Sequence, residues 1–435
     1  SEFKYNEEAW EKIFSDYNIL EEINEKGFFK ITSEEINKYR QARLMTKFDN
    51  SEAIPTILSR NNLSILPISG NSYMISTFKT YHKLEQASEN VIRVDFPQYI
   101  ESINYNKITS EALALNCAYI TKILEDFLEE ENLVPTVSGK MGSGDFCFQI
   151  GNLKNNENIL VEVKNSRIEI DGGYEGMKSL AIIEAKNKIS SDFLVRQLYY
   201  PYRLWKDKVS KKVIPIFIIY SNSVFTLYEY RFNDDNNYSS IELVKCREYS
   251  IDDTKITFDT IKDIYDNIHE FVDEPEVPFP QADNFNRVIN ICELVRDNEI
   301  NKKNVRDNYE FVERQADYYT NAAIYLGLIK KKGNFFELTS VGKEIFNMNY
   351  KKRQIEFIRR ILSHKVFYEV MKIYFEQSEV PSNKTVVDCM KKCNLYHVVS
   401  DETFYRRAST IKSWIDWIVD LVREELLSYF KEVST

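Results

Sequence analysis

The stretch SRIEIDGGYEGMKSLAIIEAKNKISSDFLVRQLYYPYRLWK, residues 166–206, decides how the rest of the chain is read. From Arg167 to Asp171 the residues alternate, with Ile168 and Ile170 on one face and Arg167, Glu169 and Asp171 on the other, which predicts a strand. Gly172, Gly173 and Gly176 follow and predict turn conformations. Leu180 to Lys186 predicts a second strand, whose apolar run LAII suits burial on both faces. Two polar residues interrupt its end. Glu184 and Lys186 are two apart and leave the same face, and a hairpin brings Asp171 beside them, so one patch holds two carboxylates and an amine.

Such a patch suits phosphodiester hydrolysis through a hard divalent cation. Mg²⁺ takes oxygen ligands, commonly one or two carboxylates, and leaves its other positions to water and phosphate. It also inverts a local charge that would otherwise repel an anionic substrate. Asp171 and Glu184 are then the candidate metal ligands. Lys186 orients or deprotonates the attacking water, or stabilises charge building on phosphorus. A rival set lies upstream: Asp145, then Glu162 and Lys164 in ILVEVK. After Lys164 the chain stays strand-like as far as Asp171, whereas Lys186 leads into Phe193, Gln197, Tyr200 and Leu204 at helical spacing, which favours the downstream set. Ordinary solvated charges at a sheet edge are the remaining reading.

An Asp, a variable hairpin and then Glu-x-Lys resembles the pattern of the PD-(D/E)XK nuclease superfamily; here it reads ID, twelve residues, EAK, with Ile170 in place of the name-giving proline. The resemblance implies an α/β (α+β) core, a mixed sheet flanked by helices, with Asp171, Glu184, Lys186 and Gln197 as catalytic residues. It places Gln197 on the next helix, holding water or a DNA phosphate, with Tyr200 and Trp205 packing or lining the groove. A helix before the sheet, SEALALNCAYITKILEDFLEE from Ser110 to Glu130, carries a broad apolar stripe, and by resemblance Glu111 is a candidate accessory carboxylate. A first-turn charge meeting the helix dipole is the competing reading of Glu111. Glu169 is the other accessory candidate.

Outward from this core, residues 1–100 read as an N-terminal α/β region. It contains helical pieces at AWEKIFSDYNILEEINEKG and SEEINKYRQARLM, candidate caps Thr32 and Ser33, and a hairpin between Leu63 and Phe78. Its segments RLMTKFD, ILPI and YMISTF resemble the N-terminal region of a group of type II restriction endonucleases. Arg40, Arg43 and Lys47 recur there near helical spacing, as a solvated basic face or as DNA contacts. The catalytic domain spans 101–271, and its GKMGSG loop lacks the spacing of a nucleotide P-loop.

A linker over 272–284 opens with the proline-rich VDEPEVPFPQAD. Beyond it, 285–350 matches a winged helix: a long helix at ERQADYYTNAAIYLGLI, a Gly-containing turn, and a strand-like ELTSVGKEI. Arg314, Gln315, Tyr318 and Asn321 on that helix are suited to base edges or phosphates. Residues 351–435 form a second helical, winged-helix-like domain with Arg406, Arg407 and Lys412 as DNA-binding candidates, while Trp414, Trp417, Ile411, Ile415 and Ile418 form a packing stripe. Both segments resemble the C-terminal DNA-binding parts of the same endonucleases.

The net charge is −10, yet from Phe285 onward 25 Lys/Arg stand against 21 Asp/Glu, a net of +4, so the last third of the chain tolerates a polyanion. No apolar run approaches the length of a membrane span, and six scattered cysteines form no disulfide framework, so a reducing, cytoplasmic, bacterial setting is expected. Four histidines without a paired motif argue against a triad hydrolase, and Cys389, Cys393 and His397 lack the second ligand pair of a zinc site. The combined expectation is a type II site-specific endonuclease that uses Mg²⁺ to cut double-stranded DNA to 5′-phosphate ends, often as a homodimer. A structure-specific or repair nuclease and a non-catalytic winged-helix regulator are the alternatives.

Overall fold

A computed structural model describes residues 3–87, 90–300, 317–333, 335–423 and 425. The elements that build the site are α1 (Glu111–Ile120), β1 (Gly139–Gly142), β2 (Arg167–Ile170), β3 (Gly172–Glu175), β4 (Ser179–Lys186), α2 (Arg196–Lys206) and β5 (Lys212–Ser221), followed by β6 (Val224–Phe232) and β7 (Ile241–Ser250). A seven-stranded mixed sheet runs in the order Ile92–Arg93, β7, β6, β5, β4, β3, Val134–Pro135. β4 and β5 are parallel and joined through α2, whereas β3–β4, β5–β6 and β6–β7 are antiparallel.

The period of two in β4 becomes two cores. Leu180 and Ile182 pack with Leu198, Tyr199 and Tyr200 of α2. Ala181 and Ile183 pack with Ala114, Leu115, Cys117 and Ala118 of α1 on the opposite face. Helix, sheet and helix are thus layered, and β4 is buried on both sides from Ser179 to Ala185, as its apolar run predicts.

Two local expectations are corrected. Gly172 and Gly173 are not turn residues; they are the first residues of β3, paired with Ile183 and Ile182. Their missing side chains serve close approach: a Cβ on Gly173 would lie 2.8 Å from both the Cβ and the carbonyl oxygen of Val137. Gly173→Ala is therefore expected to lower stability by roughly 1–3 kcal/mol through overpacking, read as a lower denaturant midpoint at unchanged slope. The Ser110–Glu130 helix is also two helices, α1 and Ile123–Leu128, separated by Lys122 in the left-handed region at φ 64°. Ser110 does cap α1, accepting a hydrogen bond from the Leu113 amide at 3.1 Å.

The N-terminal unit holds the helices Asn6–Asp16 and Ile19–Lys26 and a three-stranded antiparallel sheet that includes the expected hairpin, Ser64–Pro67 against Ser72–Ser76. Thr32 and Glu35 form a reciprocal capping box. Arg40 departs from the basic-face reading, since it is 1% exposed and bonded to Asn6.

The C-terminal region is largely helical and includes α3 (Phe285–Ile300), α4 (Asp317–Tyr325), the antiparallel hairpin β8 (Ile329–Lys332) and β9 (Phe335–Leu338), α5 (Tyr350–Leu362) and α6 (Asp401–Asp420). Only part of ELTSVGKEI is a strand; Ser340–Phe346 is a helix capped by Thr339. Residues 272–284 are no free tether: Phe279 and Ala282 are buried, and Glu274 accepts from the Tyr325 hydroxyl at 2.8 Å. One apolar cluster runs from Ile256 to Val422, so 285–350 and 351–435 share a core, with Ile411, Trp414, Ile415 and Ile418 inside it. Among the described residues, no helix is long and apolar enough to cross a membrane.

Candidate active site

Glu184 and Lys186 continue the α2-facing side of β4 beyond Leu180 and Ile182, out of the core and into a cleft of about 1080 Å³. Asp171 is the single residue between β2, which pairs with β1, and β3, which pairs with β4. Its Oδ2 accepts from the Ala185 amide at 2.8 Å, which pins the carboxylate between Glu184 and Lys186. Gln197 enters from the first turn of α2, and Pro201, four residues on, has no amide to offer the Gln197 carbonyl. Glu111, in the first turn of α1, accepts from the Asn187 amide at 3.4 Å, so it does more than meet the dipole of its own helix.

Lys186 lies at the centre. Its Nζ donates to Glu184 Oε1 at 3.0 Å and to Asp49 Oδ2 at 3.2 Å. Gln197 Nε2 donates to the other Asp49 oxygen at 2.9 Å, while Gln197 Oε1 is buried with no hydrogen-bond partner among the described residues. Asp49 is the residue sequence reasoning missed. It is the last residue of the quoted RLMTKFD, and the Leu194 amide, donating to its carbonyl at 2.9 Å, fixes its backbone.

Charge is distributed unevenly here. Burial pushes the Glu184 carboxyl up to about 8, and Asp171 adds to this, while Lys186 offsets only part of it. Glu111 is raised as well, first by burial. Burial opposes the charge on Lys186, but Asp49, Glu184 and Glu111 outweigh it and hold the ammonium well above its ordinary value. Asp49 is pulled down to about 2 against burial, by Lys186, Lys47 and Arg196.

The cleft walls are basic. Arg43 and Lys47 project from the N-terminal unit, Lys140 from β1, Arg167 from β2 and Arg196 from α2. Exposed Glu169 also lines the cleft, paired in register with Lys140. The upstream set makes no such site. Asp145, Glu162 and Lys164 lie on the exposed face of a hairpin, with Lys164 Nζ 3.1 Å from Glu162 and 4.0 Å from Asp145, each side chain more than 60% exposed.

Among the described C-terminal candidates, Tyr318, Asn321, Arg406, Arg407 and Lys412, none lines the cleft. Tyr318 is exposed on α4 and Asn321 is half-buried; Arg314 and Gln315 lie outside the described residues. On α6, Arg406 is exposed, Lys412 is half-buried, and half-buried Arg407 donates to the Phe279 carbonyl.

Three family models match successive parts of the chain, each described as a domain of unknown function: DUF6996 over residues 7–75, DUF6997 over 76–250 and DUF7226 over 287–423. No curated protein and no solved structure matches it. The cleft is shared by the first two matched segments, with Arg43 and Lys47 lining it from one, which also supplies Asp49 behind Lys186 and Gln197, and the remaining site residues from the other.

Proposed function

We propose that the chain is a Mg²⁺-dependent, site-specific endonuclease of double-stranded DNA, built on a PD-(D/E)XK core with a winged-helix C-terminal region. One observation carries this reading: Asp171, Glu184, Lys186 and Gln197 meet at the base of a single basic-walled cleft. The chain order α1, β3, β4, α2, β5 supports the core assignment, and α4 followed by the β8–β9 hairpin supports the winged helix.

The residues fit Mg²⁺. Among the described residues no three His, Cys, Asp or Glu side chains converge as a ready cage, but Mg²⁺ needs only one or two carboxylates beside water and phosphate. Asp171 and Glu184 would hold it, and a carboxyl kept protonated by burial beside another carboxylate is short of positive charge. When bound, the ion supplies a Lewis acid for the phosphoryl oxygen.

The side chains divide the remaining work. Lys186 is an ammonium at neutral pH, which favours charge stabilisation on phosphorus over deprotonation of water. Gln197 Oε1, unpaired among the described residues, would accept a hydrogen bond from an attacking water and orient it. Arg43, Lys47, Lys140, Arg167 and Arg196 hold backbone phosphates, so an acidic chain still presents a cationic groove to DNA.

Unmethylated plasmid incubated with the full chain is expected to yield discrete fragments with 5′-phosphate ends in Mg²⁺ and none in EDTA. Cleavage confined to branched or damaged DNA would move the reading to a structure-specific nuclease. No cleavage of any DNA would sink it.

A further inference from the structure

The helix α3 belongs to the C-terminal region, yet it reaches the strand end that carries Lys186. Asn290, on α3 and 2% exposed, brackets the backbone just beyond that lysine. Its Oδ1 accepts from the Ile189 amide at 2.9 Å, and its Nδ2 donates to the Asn187 carbonyl at 2.7 Å. The same Nδ2 lies 3.3 Å from Ser221 Oγ at the end of β5, the parallel neighbour of β4. One side chain thus ties the ends of the two central strands together.

Its neighbours on α3 extend the clasp. Glu293, one turn on, accepts from Ser221 Oγ at 2.6 Å and from the Asn222 amide at 3.0 Å. Arg287, one turn back, makes a two-pronged pair with Glu52 at 3.1 and 2.7 Å, three residues from Asp49, and lies over the ring of Tyr319 on α4. A single helix therefore touches the N-terminal unit, both central strand ends and the helix that carries Tyr318 and Asn321.

We propose that Asn290 is a positioning residue for the site at Glu184 and Lys186, which makes α3 an integral support of that site rather than part of a detachable DNA-binding module. This rests on the nuclease reading given above. The physical reason is register: the β4–β5 ladder ends at Lys186 and Ile219, and the side-chain amide of Asn290 supplies the acceptor for the Ile189 amide and the donor for the Asn187 carbonyl just beyond it. Asn187 also donates to Glu111, so slack here would move Glu111 and Lys186 together. Asn290 does not line the cleft, so its effect falls on turnover rather than on binding.

The test uses the full-length protein with Asn290→Ala and with Asn290→Asp, which keeps size and the acceptor for Ile189 but loses the donor to Asn187. Single-turnover cleavage is expected to fall by about 10- to 100-fold in Asn290→Ala, and by less in Asn290→Asp, with duplex affinity within twofold of wild type. Wild-type turnover in both variants, or an equal loss of affinity and turnover, would overturn the proposal. Amide exchange across Asn187–Ile189 separates this from the nuclease reading itself. Faster exchange in Asn290→Ala in a protein that cuts no DNA would leave the clasp standing and remove the nuclease, whereas unchanged exchange would remove the clasp whatever the cleavage result.

Discussion

Asp171→Asn and Lys186→Ala are each expected to leave plasmid DNA uncut in Mg²⁺, a fall on the order of a thousandfold or more, while duplex affinity stays within a few-fold. The two effects separate because the groups that would contact backbone phosphate are on the cleft walls, whereas Lys186 is buried at the base with its ammonium between Glu184 and Asp49. Asp171→Asn is the gentler change, because an amide oxygen can still accept from Ala185 and hold the turn between β2 and β3 while the carboxylate charge is lost. Lys186→Ala removes the ammonium that Glu184 and Asp49 share, so its fold is checked by circular dichroism before loss of cleavage is assigned to chemistry.

The upstream hairpin supplies the control. Lys164→Ala and Glu162→Ala are expected to cut at the wild-type rate, since their ion pair is solvent-exposed and screened by water and salt. Cleavage lost in Lys164→Ala and kept in Lys186→Ala would transfer the site to that hairpin. Cleavage kept in every variant would end the metal-nuclease reading of both.

What was legible in the chain follows from the range of each signal. The same-face placement of Glu184 and Lys186 comes from the period of a single strand and could be read locally, whereas helical spacing only put Gln197 on the next helix and the superfamily resemblance pointed it at the site. Strand pairing is not local. Asp171 does reach the end of β4, but because the chain changes partners at that residue, with β2 joining β1 and β3 joining β4. Alternation continues across such a change and does not reveal it. Glycine is similarly ambiguous in sequence, since it serves turns and close contacts alike, and at Gly173 the demand comes from Val137. Asp49 is separated from Lys186 by 137 residues and from Gln197 by 148, and a lone Asp after a short helical run carries no pattern. Nor does Asn290 advertise its contacts with Asn187 and Ile189, made 103 and 101 residues away.

The buried carboxyl of Glu184 gives the second large prediction, and it does not depend on any substrate. Its value of about 8 in the folded chain lies above the 4.5 of a free glutamate side chain. Below pH 4.5 both states hold the proton and the group is neutral to stability. Between pH 4.5 and about 8 the unfolded chain releases the proton and the folded chain keeps it, so folding loses stability as pH rises, at up to about 1.4 kcal/mol per pH unit. Glu184→Gln has no proton to lose. In EDTA it is expected to unfold together with wild type near pH 4.5 and to exceed it by a few kcal/mol at pH 8.5, discounted for the Lys186 contact that the amide only partly replaces. Urea midpoints at the two pH values measure the gap. Adding Mg²⁺ at pH 8.5 should then raise the wild-type midpoint and close the gap, because a ligand that binds only the folded state stabilises it, while the amide variant gains little. A gap that is absent at pH 8.5, or equal at both pH values, would mean that Glu184 is ionised without difficulty in the folded chain. A Mg²⁺ response preserved in Glu184→Gln would mean that this carboxylate is not where the cation binds.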